Sequence, residues 1–210
     1  YSFAYVGRYG YNANISSIIA WYGITRADAG AVSTFFFFSY GAGQLINAIL
    51  CKFYPKRYVI AGSLLISAAI NLILLFLPAF GLIKYLWLIN GICQSVLWPT
   101  LMLTLGENLE QEMMKHAVLA MSLSVVIGTL IAYGGASLFN LFGAFRFSFL
   151  LGTVATLGIG LIWFLSYDHL VEGKNATVGQ KENAAESKST KTTALSAMIG
   201  LLVVCGLFAI

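Results

Sequence analysis

Apolar residues fill the chain in long blocks, and the ionisable residues fall almost entirely between them. Uncharged stretches cover 29–51, 58–83, 85–106, 117–145, 147–167 and 192–210, and one more at the start is interrupted only by Arg8. A helix needs about 20 apolar residues to cross hydrocarbon, and every stretch but the last holds that many. Runs such as 58–77 and 147–165 are apolar on every face, which excludes the alternating polarity of barrel strands. The pattern predicts an all-α, polytopic membrane protein. Its transmembrane helices are expected over about 1–22, 29–51, 58–78, 85–106, 116–138 and 147–167, with the start of a seventh over 194–210.

The connections refine this picture. Most are short, so consecutive helices are expected to be antiparallel neighbours. Residues 169–193 differ: they lack apolar periodicity and are rich in Lys, Glu, Asn, Ala, Ser and Thr, as in a flexible solvated linker. They divide a six-helix unit, 1–168, from the helix that begins at 194. If the first helix runs outward, one side receives Lys52, Lys56, Arg57, Lys115, Lys174, Lys181, Lys188 and Lys191, and the other only Arg26, Lys84 and Arg146. Eight basic residues against three place the loops 51–57 and 107–115 and the linker in the cytoplasm. The chain opens and stops inside hydrophobic helices, so it is expected to be a piece of a longer polypeptide.

Composition narrows the function classes. At 59% hydrophobic and 10% charged residues, with a mean hydropathy of +0.83, the chain lies outside the soluble range. A lipid bilayer, not nucleic acid, is its expected surroundings. Cys51, Cys93 and Cys205 make no metal or disulfide spacing. No phosphate-binding glycine loop, nucleophile elbow or HExxH helix is present, and His116 and His169 stand far apart. Neither an enzyme nor a bound cofactor or metal is expected. Glu107, Glu110 and Glu112 form an acidic cluster that is ordinarily a solvated face; the sharper reading is a gating contact to the basic loops.

Arg8 is the exceptional residue, because a guanidinium does not shed its proton and at membrane depth must face protein, an anion or a water-filled cavity. At about 100° per residue, Tyr1, Tyr5, Arg8, Asn12 and Ser16 fall within an arc of roughly 80° on one helix face. The ordinary partner of a buried Arg is a carboxylate, yet every Asp and Glu lies in a loop or at a helix end. A carboxylate or phosphate ligand, held by bidentate hydrogen bonds, fits such a residue better. Tyr40, Gln44 and Asn47, Asn71, Asn90 and Gln94, and Ser122 and Ser124 interrupt the other spans. Each alone is more often a stitch between helices than a ligand contact. The expected cavity set is Arg8 as anion anchor with Tyr5, Asn12, Tyr40, Gln44 and Gln94. Trp98 is more often packing than a stacking partner, and Pro99 is placed to kink the fourth span.

The segments YSFAYVGRYGYNANIS, GITRADAGAVSTFFFFSYGAGQLINA and GICQSVLWPT resemble the amino-terminal half of the organophosphate:phosphate antiporters of the major facilitator superfamily. The resemblance rests most on Tyr1, Tyr5 and Arg8, on Tyr40 with Gly41, and on Gly91, Gln94, Trp98 and Pro99. It implies a twelve-helix fold of two six-helix halves, the second lying in the same polypeptide, and alternating access between them. It also implies that Arg8 binds substrate phosphate together with an arginine of the seventh helix, while nearby tyrosines shape the pocket. Departures accompany it: Gln44 stands where the family has a lysine, Val125 where the phosphate carriers have a histidine, and Lys52 where the second loop carries an acid. The implied function is secondary active transport of a small organic anion, an organophosphate or a carboxylate, with phosphate or another ion as coupling partner. A bacterial cytoplasmic membrane is the implied location. The alternative is a transporter-like membrane sensor for a phosphorylated metabolite.

Overall fold

The computed structural model describes the backbone of residues 1–109 and 111–183, and the side chains of 1–109 and 113–168. Regular structure among the described residues is helical throughout. It comprises α1 (Ser2–Ala13), α2 (Ile15–Tyr22), α3 (Arg26–Leu50), a 3-10 turn (Cys51–Phe53), α4 (Lys56–Leu75), α5 (Phe80–Ser95), α6 (Leu97–Asn108), α7 (Gln111–Leu141) and α8 (Phe147–Asn183). Among the described residues, five helical stretches are long and apolar enough to cross a membrane: Arg26–Phe53, Lys56–Leu75, Phe80–Asn108, Met113–Leu141 and Phe147–Asp168. The chain is an integral, multi-pass membrane protein whose architecture is that of an amino-terminal six-helix bundle. Residues 1–164 form one compact unit and 165–210 a second, of which the structure describes the end of α8.

Two of the expected spans are divided, each for a local reason. The first breaks at Asn14, whose side chain donates to the Gly10 carbonyl at 2.8 Å and accepts from Asn140 at 3.0 Å and Ser148 at 3.4 Å. A short amide that bonds back to the chain competes with the helical ladder, and here it joins α1 to the neighbouring bundle helices. Asn14 begins an Asn-Ile-Ser triplet of the glycan-acceptor type, but its engagement here, at only 1% exposure, leaves no room for a glycan. The fourth span divides at Val96, between α5 and α6. Pro99 has no N–H to offer the carbonyl of Ser95 one turn earlier, so the ladder is interrupted there.

The helix starts and stops follow from chemistry readable in the sequence. Gly23 ends α2 at φ +62°, a left-handed conformation that glycine adopts without strain. Thr25 then opens α3 with a reciprocal capping box: its hydroxyl accepts from the Asp28 N–H, and Asp28 accepts from the Thr25 N–H at 3.1 Å. The expected sixth span continues as helix through Asn183, so the first part of the linker placed at 169–193 is helical. No proline interrupts 169–183, and solvated polar residues alone do not end a helix. The remainder of the linker and the helix expected from 194 lie outside the described residues.

A core of Tyr11, Ile18, Val32, Phe36, Ile70, Leu74, Ile83, Trp87, Phe145 and Phe149 joins the helices of the compact unit. Large apolar side chains such as Phe38, Leu45 and Leu130 are exposed, which suits hydrocarbon or a further helix and not water. At the other end, Lys56 pairs with Glu107, tying the start of α4 to the end of α6. The side chains of Glu110 and Glu112 lie outside the described residues.

Helices α3 and α5 pack closely, and Ser39 of α3 donates to the Leu88 carbonyl at 2.9 Å. A methyl group on Gly91 would sit 2.6 Å from the Phe36 carbonyl oxygen and 3.3 Å from the Tyr40 nitrogen, both backbone atoms that cannot swing away. Gly91→Ala is therefore expected to lower thermal stability in detergent, by on the order of 2 kcal/mol. Gly62→Ala, whose methyl meets nothing within 4 Å, should leave the melting temperature unchanged or slightly raised.

Candidate functional site

Arg8 lies on the buried side of α1 and is only 4% exposed. Its Nε donates to Gln94 Oε1 of α5 at 2.8 Å. Gln94 in turn donates from Nε2 to Ser67 Oγ of α4 at 2.9 Å and to Asn90 Oδ1 at 3.3 Å. The cation is thus tied into a buried polar chain that crosses three helices. Both contributing rings of its immediate surroundings are tyrosines: the guanidinium carbon lies 4.3 Å from the ring centroid of Tyr5 and 4.3 Å from that of Tyr40. Ring faces carry negative potential, so two such contacts offset part of the cost of keeping this charge out of water.

The compensation stops short of an ion pair. No carboxylate among the described residues pairs with Arg8, and its Nη2 is buried with no hydrogen-bond partner among them. A buried charged donor left without an acceptor is costly. Beside it opens a cavity of about 410 Å³ lined by Tyr1, Tyr5, Tyr40, Gln44, Trp98, Ser122 and Val125. Gln44 donates to the Tyr40 hydroxyl at 2.7 Å, as their one-turn spacing allows.

Of the six residues expected at the site, Tyr5, Tyr40 and Gln44 are on the cavity wall and Arg8 stands behind the two tyrosines. Gln94 is fully buried and reaches the site through Arg8. Asn12 is not on the wall; it accepts from Ser33 of α3 at 2.6 Å and joins two helices. Ser16, the last member of the polar stripe, is exposed beyond the break at Asn14. Tyr1, Trp98, Ser122 and Val125 complete the wall. Tyr1 shares the helix face of Tyr5 and Arg8, which is a usable signal in the sequence. Val125 has none of its own, being one apolar residue among many on α7, and only the resemblance singles it out. Trp98 reaches the cavity because α6 starts anew after Val96.

These features can now be set beside known proteins. The family model described as Major Facilitator Superfamily matches residues 1–210. The chain belongs to the major facilitator superfamily. Members of this superfamily are transporters rather than enzymes. Among curated proteins, the chain is 27% identical over 95 residues to "Membrane sensor protein UhpC" of Escherichia coli (strain K12), and equally to the protein of that name from Salmonella typhimurium (strain LT2). Each match covers 45% of this chain and 22% of the relative, so the chain spans well under two thirds of those proteins. No solved structure matches.

Replacing Gln94 by Leu removes the acceptor of Arg8 Nε and leaves a second buried charged donor unmatched. Thermal unfolding of the purified protein should show a loss on the order of 2–3 kcal/mol. Asn12→Ala, which breaks only a half-buried side-chain pair, should cost about 1 kcal/mol or less.

Proposed function

We propose that this chain supplies the first half of a secondary active transporter for a small organic anion, an organophosphate or a carboxylate, with Arg8 as the anion anchor. The observation that carries the reading is a permanent cation beside an open cavity, with a buried Nη2 that has no hydrogen-bond partner among the described residues. An oxyanion would provide the missing acceptor, and the hydrogen bonds would be charge-assisted. Tyr5, Tyr40 and Gln44 form the wall that the ligand meets, while Gln94 and the two rings orient the guanidinium. The second half of the site comes from a further six-helix bundle of the same polypeptide, and substrate crosses as one bundle rocks against the other. Phosphate or another ion serves as exchange or coupling partner.

In this reading the protein sits in a bacterial cytoplasmic membrane, with residues 169–193 on the cytoplasmic side, which the distribution of Lys and Arg supports. No catalytic step is assigned.

A second reading has one observation in its favour: both curated relatives are named membrane sensor proteins. A sensor would use the same anchor to bind an anionic, phosphorylated metabolite and would pass the signal to a partner protein without moving the solute.

Uptake by the full-length protein in proteoliposomes separates the two, because a transporter accumulates labelled anion and a sensor binds it without flux. In a transporter, Arg8→Lys and Arg8→Gln should each reduce uptake roughly tenfold to a hundredfold, since Lys keeps the charge but not the forked geometry. Gln94→Glu offers a sharper check. A carboxylate there would satisfy the guanidinium internally, so anion binding should disappear while the melting temperature holds or rises. Unaltered binding in Gln94→Glu would contradict the anchoring role.

A further inference from the structure

The wall of the cavity carries information about the ligand beyond its charge. Aromatic rings line it in sequence, Trp98 to Tyr1 at 5.4 Å between centroids and Tyr1 to Tyr5 at 5.3 Å, and behind the wall the series continues from Tyr5 to Tyr9 at 5.7 Å and from Tyr9 to Tyr133 at 6.0 Å. Tyr40 stands on the other side of Arg8, its ring stacked on Phe36 at an interplanar angle of 8° and so held in one orientation. The polar side chains of the wall other than tyrosine each give a donor to the protein itself. Gln44 donates to the Tyr40 hydroxyl at 2.7 Å, and Ser122 donates to its own helix at the Val118 carbonyl, 2.9 Å away. Among the described residues lining or backing the cavity, Arg8 is the one cation.

We propose that the ligand is a singly charged organic anion with a flat π face, of the arylcarboxylate class. This rests on the anion-site reading above and narrows it. Three constraints converge. In the half of the site that the described residues form, one guanidinium matches one negative charge, and that wall offers a second charge no cation. A polyhydroxylated body needs a dense set of free donors and acceptors, and this wall presents rings instead. A flat aryl group makes offset or edge-to-face contacts with Tyr1, Tyr5 and Trp98 while its carboxylate reaches the N–H edge of Arg8. The volume of about 410 Å³ is within the range of pockets for small ligands. Gln44 has a determining part in this selection: it is neutral where a lysine would add the second positive charge that a dianion requires.

The test is equilibrium binding to the purified full-length protein at about pH 8, where a phosphate monoester carries nearly two charges. Four probes separate ring from charge: benzoate, cyclohexanecarboxylate, phenyl phosphate and glycerol 3-phosphate. Benzoate is expected to bind roughly threefold to tenfold more tightly than cyclohexanecarboxylate, from ring contacts, and about tenfold more tightly than phenyl phosphate, from charge matching. Gln44→Lys should close or reverse the gap between benzoate and phenyl phosphate, and Arg8→Gln should abolish binding of both. Equal affinity for the flat and the puckered carboxylate, or tighter Arg8-dependent binding of either phosphate ester, overturns the inference and leaves Arg8 as an anion anchor. Binding of no anion in an Arg8-dependent way overturns the anion-site reading with it. The wild-type panel decides the question even if Gln44→Lys does not fold.

Discussion

A guanidinium that cannot lose its proton, enclosed by neutral groups, sets the terms for the rest of this bundle. At membrane depth such a charge is tolerated only when protein groups or a wet cavity replace its hydration. Arg8 obtains one acceptor from Gln94, two ring faces from Tyr5 and Tyr40, and no carboxylate among the described residues. Gln94 is itself held by donating to Ser67 and Asn90, so the position of the cation depends on α4 and α5 as much as on its own helix. The unmatched Nη2 edge is where this otherwise well-supported residue departs from a purely structural one. Functional sites commonly hold a group in a state that the fold alone does not favour.

The architecture around the site is stitched by amides at the places where the helices are weakest. Asn71 donates to the Gly7 carbonyl at 3.2 Å and to the Ser67 carbonyl at 2.9 Å, so α4 grips α1 at the residue before Arg8. Asn14 does the same at the break between α1 and α2, and Asn47 donates to Ser95 at 2.9 Å beside the break between α5 and α6. In each case the amide lies against a backbone approach or a ladder interruption, where hydrocarbon would leave polar groups unsatisfied. The break after Ser95 has a consequence for the site, because it separates Gln94, which faces inward to Arg8, from Trp98, which faces the cavity.

Much of this was legible in the chain. Uncharged intervals located the helices because ionisable residues are excluded from hydrocarbon, and the isolation of Arg8 from any acid was visible from spacing alone. Tyr5, Tyr40 and Gln44 were readable by helical phase. Asn12 shares that phase but not the cavity, since phase gives a face of a helix and not the neighbour that the face meets; Ser33 happens to be there. Val125 was legible only through the resemblance, and Trp98 depended on a helix interruption whose effect on direction needs coordinates. The continuation of helix past Asp168 was the least readable feature, because the polar residues there are compatible with both helix and coil.

The most direct measurement is a structure of the full-length protein with an anionic ligand bound. The account predicts that ligand oxygens lie within hydrogen-bonding distance of the Nη atoms of Arg8, with the bond from Nε to Gln94 and the flanking rings of Tyr5 and Tyr40 retained. A carboxylate from elsewhere in the polypeptide clamped on that guanidinium, with the ligand seated away from it, would contradict the account.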